Sequence, residues 1–220
     1  MTLIPLGKTI LASRIIDYLK DLRAESKLRG INFSVIYFYF KHLHEDKRQM
    51  IHLLSALLSQ LADQDNSLLD FFYRECCSID QEKLSLYKLC DLASTALRAQ
   101  KRCFIMIDGL DECVRDSIDN KSNEVERVLK WFEELILPKE GVAPDIDQVC
   151  IRLLISGQRD GHLEEKLRSY PSMQLDKRAE HGEDIRSYAK VEAAKICKQF
   201  SAGGEVELDI IQKVTSRAKG

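Results

Sequence analysis

The feature that most limits the fold is a set of short segments that are apolar without alternation. Residues 32–40 read NFSVIYFYF, residues 103–107 read CFIMI, and residues 149–155 read VCIRLLI. A strand with one face in water alternates apolar and polar side chains, whereas a strand covered on both faces is apolar nearly throughout. These segments therefore predict buried strands of a parallel sheet.

Helical patterns separate and follow these strands. Apolar residues recur at helical spacing in residues 9–23, 48–62, 67–75, 84–99, 123–137, 162–169, 182–200 and 207–218, and a brief strand is predicted at 173–175. Strands that alternate with helices predict parallel pairing through helical crossovers. We expect an α/β fold with a three-layer parallel sheet and flanking helices. Residues 1–178 are expected to form its core, and residues 179–220 to begin a helical C-terminal extension.

Composition excludes several classes of protein. Hydrophobic residues make up 45% of the chain and charged residues 31%, which is ordinary for a folded globular domain. A net charge of -2 gives no reason to expect nucleic acid or an anionic membrane as a partner. The 7 cysteines form no metal-ligand spacing, and their odd number without a signal peptide predicts free thiols in the cytoplasm.

The first chemical motif is Gly7-Lys8-Thr9, which opens the first predicted helix. Amide groups at a helix N-terminus attract phosphate, a lysine neutralises it, and a threonine hydroxyl can ligate Mg²⁺. The motif thus predicts that Gly7, Lys8 and Thr9 bind a nucleotide phosphate, with Thr9 also a metal ligand. The same tripeptide is common by chance, and a glycine turn before a helix with a solvated lysine is an equal alternative.

The second motif is the acidic run that ends the strand at residues 103–107. Asp108 follows the strand directly, and Asp111 and Glu112 come just after it. In an open α/β sheet, ligands bind at the carboxyl edge of the strands. We expect Asp108 to hold Mg²⁺ and Asp111 or Glu112 to orient the attacking water in phosphoryl transfer. The alternative is that these acids only end a strand and cap a helix.

A third polar segment follows the strand at residues 149–155. Ser156 ends this strand, and Gln158 and Arg159 are delivered to the same sheet edge. The guanidinium of Arg159 matches phosphate oxygens and can stabilise γ-phosphate charge, although a surface arginine is an equal alternative. The order of the three motifs on one edge is typical of a P-loop NTPase.

The segments GKTILASRIIDYL, VIYFYF, LLSALLSQL, CFIMIDGLDEC, LLISGQRD and EDIRSYAK resemble the fungal NACHT domain of STAND-class NTPases, the NOD-like receptor type. The resemblance implies ATP or GTP with Mg²⁺, slow hydrolysis, and self-association that the nucleotide state controls. It also implies an N-terminal effector domain and C-terminal sensor repeats on either side of this core. By position, Lys8 and Thr9 match the Walker A residues and Asp108 the Walker B carboxylate. Asp111 and Glu112 match the extra acids, and Arg159 the sensor arginine.

The sequence departs from this family in four respects. The first glycine of a full Walker A motif falls at Thr2, Pro5 has no amide proton to offer, and two residues separate Ser156 from Arg159. We expect the strand that precedes the loop in this family to be absent, which would leave the neighbouring strands without hydrogen-bond partners. Two hypotheses follow: a competent NTPase truncated at both ends, or a degenerate, non-hydrolysing fragment that serves as a protein-interaction scaffold.

Overall fold

The structure is a computed structural model that describes residues 8–41, 44, 49–77, 85–113, 124–136, 150–158, 162–174 and 179–217. Its elements are α1 (Lys8–Leu28), β1 (Ser34–Tyr39), α2 (Met50–Gln64), α3 (Ser67–Cys77), α4 (Leu86–Arg98), β2 (Arg102–Asp108), a 3₁₀ turn (Leu110–Glu112), α5 (Glu124–Ile136), β3 (Cys150–Ile155), α6 (His162–Lys166), α7 (Ala179–Phe200) and α8 (Gly204–Arg217). The predicted α/β fold class is confirmed. Within the described ranges, no helix is both long and apolar enough to cross a membrane.

The sheet has the order β1-β2-β3, and both pairings are parallel. Tyr39 lies opposite Asp108, and Ile107 lies opposite Ile155, so the carboxyl ends of the three strands meet at one edge. The central strand β2 is hydrogen-bonded on both of its sides. The expected loss of hydrogen-bond partners therefore does not occur at β2, whereas no described strand pairs with the outer side of β3.

The third strand forms where the sequence predicts it, but it is not buried. Every residue of β3 is half-buried or exposed, and Leu154 is 42% exposed. The extensive contacts of β3 among the described residues are with β2, whereas helices cover β1 and β2. An apolar run shows that a strand can be covered on both faces, and here the cover is incomplete.

The brief strand predicted at residues 173–175 is not found. Met173 and Gln174 have no regular structure, Met173 is 64% exposed, and Leu175 lies outside the described residues. A short extended segment is stable only when a neighbouring strand receives its hydrogen bonds. No pairing partner for this segment occurs in the part of the chain that the structure describes.

Helix α1 runs antiparallel to β1. The Tyr37 hydroxyl accepts a hydrogen bond from Lys20 Nζ at 3.1 Å, and the Tyr39 hydroxyl lies 3.1 Å from Ser13 Oγ. The contacts thus move towards the start of α1 as β1 approaches its carboxyl end. The first residues of α1 therefore lie at the carboxyl edge of the sheet.

A second helical layer covers the face away from α1. Side chains alternate along a strand, so Ile36 points away from the α1 contacts of Tyr37, yet it is completely buried. Helix α2 packs on β1 and α4, and Trp131 Nε1 of α5 donates a hydrogen bond to Ser94 Oγ of α4 at 3.0 Å. Helices α2, α4 and α5 form this layer, which completes the predicted three-layer arrangement.

Two glutamines close the outer edge of β1. Gln64 accepts a hydrogen bond from Val35 N–H at 3.0 Å and donates one to Val35 C=O at 2.7 Å. Gln60 makes the same pair of contacts with Tyr37, at 3.1 and 2.8 Å. Residues four apart lie on one side of a helix, so the two amides of α2 continue the ladder as a neighbouring strand would. At Val35 and Tyr37 this edge is therefore closed to another strand.

Replacing Gln60 with alanine is expected to lower the free energy of unfolding by about 1–3 kcal/mol, because the N–H and C=O of Tyr37 lose their partners while remaining partly buried. Gln49 is a matched control, since it precedes the same helix and its side chain makes no capping hydrogen bond. Gln49→Ala is expected to change stability by less than about 0.5 kcal/mol. Urea denaturation measures both, and equal losses would contradict the edge-closing role of Gln60.

The cysteines at positions 76, 90, 103, 113, 150 and 197 are free thiols, as expected. Cys103 on β2 is completely buried, and this burial raises the pKa of its thiol from 9.0 to about 12. The unfolded chain therefore loses this proton at a lower pH than the folded chain does. The contribution of the Cys103 thiol to the free energy of unfolding is therefore fully present below pH 9.0 and is lost as the pH rises towards 12.

Above pH 9.0, we expect the free energy of unfolding of the wild-type protein to fall more steeply with pH than that of Cys103→Ala. The contribution of one thiol between its two pKa values is about 1.4 kcal/mol per pH unit. Denaturant titrations at several pH values above 8 measure the slope in both proteins. Identical slopes would show that the thiol of Cys103 is not held in its neutral form by the fold.

The chain divides into two compact units, Gly7–Leu163 and Glu164–Gly220. In the second unit, α7 and α8 pack against each other, and Ala189, Ala193 and Cys197 are buried along one side of α7. These helices correspond to the helical extension that the sequence predicts. The first unit contains the whole sheet and the candidate site.

Candidate functional site

The acidic turn after β2 is built around Gly109. Its φ of +71° lies in the left-handed region, and a Cβ at this position would approach the Phe40 carbonyl oxygen to 2.9 Å. Both facts favour glycine, because another residue would meet backbone strain and a backbone clash together. The Phe40 N–H donates to the Asp108 carbonyl at 2.8 Å, and Leu110 is completely buried. These contacts fix the direction in which the acids leave the sheet.

The carboxylate of Asp108 is buried at the end of the central strand, with only 5% of the residue exposed. Its Oδ1 accepts a hydrogen bond from the Ser156 hydroxyl. None of the ion pairs formed between described residues includes Asp108. Buried charges in proteins are paired or bind metal ions, so this carboxylate has the properties of a cation ligand.

Ser156 fastens the end of β3 to the acidic turn. Its N–H donates to the Ile107 carbonyl at 2.8 Å, and its own carbonyl accepts from the N–H groups of Gly109 and Leu110 at 3.0 and 3.3 Å. The sequence shows Ser156 only as the end of a strand and gives it no role. Aligning the two parallel strands at Ile107 and Ile155 would have placed Ser156 beside Asp108.

The carboxylate of Asp111 turns towards the segment after β3. Its Oδ1 accepts a hydrogen bond from the Gln158 N–H at 2.9 Å. The Glu112 N–H donates to the Gly109 carbonyl at 2.8 Å, which closes the 3₁₀ turn, and the residue is half-buried. The three predicted acids are therefore in different surroundings, with Asp108 buried and Asp111 hydrogen-bonded to the neighbouring turn.

Lys8 and Thr9 are the first two residues of α1, and both are half-buried. One turn later, Ala12 packs against Met106, which precedes Asp108 by two positions on β2. Since α1 runs antiparallel to the strands, Lys8 and Thr9 lie at the sheet edge where β2 ends. Gly7 and Arg159, the remaining predicted site residues, lie outside the described residues.

The family model for nephrocystin 3, N-terminal, matches residues 5–157, which is most of the chain. The chain belongs to the nephrocystin 3 N-terminal family. The match runs from before α1 to the turn after β3, so this nephrocystin 3 N-terminal domain includes every candidate site residue except Arg159. This family is not the NACHT family, so the match does not test the NACHT or P-loop NTPase assignment, which stays a prediction. Comparisons with curated proteins and with solved structures find no match.

Proposed function

We propose that this nephrocystin 3 N-terminal domain is the Mg²⁺-dependent ATP- or GTP-binding core of a STAND signalling NTPase of the NACHT type. The observation that carries the proposal is the buried carboxylate of Asp108, which has no cationic partner among the described residues. It lies at the same sheet edge as Lys8 at the start of α1. A magnesium-bound nucleotide supplies the cation that the carboxylate needs and the phosphates that the lysine attracts.

The residues present are suited to a metal held jointly with a nucleotide. The hydroxyl of Thr9 and the carboxylate of Asp108 offer two oxygen ligands, and Lys8 and the first amides of α1 offer positive charge to the phosphates. Within the described ranges, no group of three or more His, Cys, Asp or Glu side chains can hold a metal. Mg²⁺ commonly keeps waters and takes only one or two carboxylates together with substrate phosphates, so a complete protein cage is unnecessary.

Hydrolysis in this proposal depends on the remaining acids and on Arg159. One of the acids, Asp111 or Glu112, orients the attacking water, and the guanidinium of Arg159 stabilises the charge on the transferred phosphoryl group. We further propose that the nucleotide state controls self-association in the cytoplasm, where the free thiols stay reduced. Hydrolysis and self-association can be measured separately from binding.

Calorimetric titration of ATP and GTP into the full chain, with and without Mg²⁺, tests the proposal. We expect saturable binding of at least one nucleotide that requires Mg²⁺, and a change of association state in the ultracentrifuge when that nucleotide is added. Failure of both nucleotides to bind in the presence of Mg²⁺ would contradict the proposal.

A second function, a non-hydrolysing interaction scaffold, is favoured by the exposure of β3. All its residues are half-buried or exposed, and no described strand pairs with its outer edge. A strand edge that pairs with no neighbouring strand is a surface on which a second copy of the chain can pair. Self-association that is the same with and without nucleotide would support the scaffold and contradict the switch.

A further inference from the structure

We infer that Asp111 is a positioning residue that ties the turn after β3 to the acidic turn, and that it does not activate the attacking water. This inference rests on the proposed nucleotide-binding function. It separates the role of Asp111 from that of the neighbouring acid, a distinction that the sequence pattern alone cannot make.

We call the contact between Asp111 and the turn at residues 157–158 the tether, and two observations describe it. The Oδ1 of Asp111 accepts the Gln158 N–H at 2.9 Å, and a Cβ on Gly157 would lie only 2.9 Å from the same oxygen. Gly157 does not adopt the left-handed conformation, so glycine is needed here for space and not for backbone freedom. Leu163 closes the other side, since its Cδ2 would lie 3.0 Å from that Cβ. A residue larger than glycine would push the carboxylate away from the amide.

The tether lies where it can position the predicted catalytic groups. Gln158 directly precedes Arg159 in the chain, and Asp111 directly precedes Glu112. Ser156 already joins the two turns through its hydroxyl and its carbonyl group, and the Asp111 contact adds an attachment beyond Ser156, three residues after Asp108 on the acidic turn. Attachment at both Ser156 and Gln158 restricts rotation of one turn relative to the other, and catalysis is sensitive to displacements of this kind.

Replacement of Asp111 by asparagine and by alanine separates positioning from proton chemistry. Asparagine retains a carbonyl oxygen that can accept the Gln158 N–H, but it has no charge and cannot act as a base. For a positioning residue, Asp111→Asn retains kcat within about threefold of wild type, whereas Asp111→Ala lowers kcat by about 10–100-fold. For a water-activating acid, both variants lose about 100-fold or more. Turnover of ATP and GTP is measured under saturating Mg²⁺.

Gly157→Ala provides an independent route to the same tether. It is expected to lower kcat to about the same extent as Asp111→Ala, and the double variant is expected to be no worse than either single variant, because all three break one contact. Multiplied effects in the double variant would show that Gly157 and Asp111 act separately and would overturn the inference.

Hydrogen exchange of the Gln158 amide reports on the tether without requiring turnover. We expect exchange to be about fivefold or more faster in Asp111→Ala, in keeping with the loss of a hydrogen bond worth about 1 kcal/mol, and to remain slow in Asp111→Asn. Unchanged exchange in Asp111→Ala, or equal loss of kcat in both Asp111 variants, would overturn the inference. If the wild-type chain turns over no nucleotide, the proposed hydrolysis fails, and hydrogen exchange alone decides the role of Asp111.

Discussion

Replacing Lys8 with alanine is expected to weaken the affinity for magnesium-bound nucleotide by about 100-fold, or about 3 kcal/mol. The sequence pattern places two positive charges on the phosphates, the ammonium group of Lys8 and the guanidinium of Arg159, and this substitution removes the one at the start of α1. Lys8 is also the first residue of α1, where loss of its side chain removes no intrahelical hydrogen bond. Its removal is therefore expected to leave the unfolding free energy almost unchanged.

Lys20 on the same helix is the matched control. Its Nζ donates to the Tyr37 hydroxyl at 3.1 Å and lies 4.4 Å from the centre of the Tyr37 ring. Lys20→Ala is expected to reduce stability by about 0.5–1 kcal/mol and to leave nucleotide affinity unchanged. Calorimetry and urea denaturation on both variants measure the contrast. Equal nucleotide affinities for Lys8→Ala and Lys20→Ala would remove Lys8 from the site.

Replacing Asp108 with asparagine is expected to weaken nucleotide binding without lowering the free energy of unfolding. Affinity for magnesium-bound nucleotide is expected to fall by about 100-fold, because the metal loses a charged oxygen ligand. In the nucleotide-free protein, the substitution removes a buried carboxyl group that has no cationic partner among the described residues, and Asn retains a carbonyl oxygen that can accept the Ser156 hydroxyl. We therefore expect the unfolding free energy to be equal or higher, as at many functional sites.

Asp63 on the exposed side of α2 controls for the general effect of removing one negative charge. Asp63→Asn is expected to change nucleotide affinity by less than twofold and stability by less than about 0.5 kcal/mol. Nucleotide titrations at several Mg²⁺ concentrations, with parallel denaturation curves, distinguish the two aspartates. Loss of stability together with unchanged affinity in Asp108→Asn would identify Asp108 as a structural residue.

Most of the fold was predictable because burial on both faces leaves a pattern in the sequence. The apolar runs of β1 and β2 mark strands between two layers, and these strands and the helices after them occur where expected. β3 has the same type of apolar run, yet all of its residues are half-buried or exposed. Local sequence records what a strand can bury, whereas the cover it receives depends on how distant helices pack.

The candidate site was predictable only where the topology determines it. Parallel strands end at one edge, which is sufficient to bring Asp108 and Ser156 together. The tether from Asp111 to Gln158 and the closure of β1 by Gln60 and Gln64 join residues far apart in the chain. Each depends on register and side-chain direction, and a single sequence without related sequences contains no local signal for such contacts.

The central claim is that Lys8 and Asp108 hold one ligand between them. A double-mutant cycle of wild type, Lys8→Ala, Asp108→Asn and the combined variant, with nucleotide affinity in saturating Mg²⁺ as the readout, tests it directly. We predict a coupling energy of about 1 kcal/mol or more, with the combined variant less impaired than the sum of the two losses. Losses that add within about 0.5 kcal/mol, or a wild-type chain that binds neither ATP nor GTP, would contradict the claim.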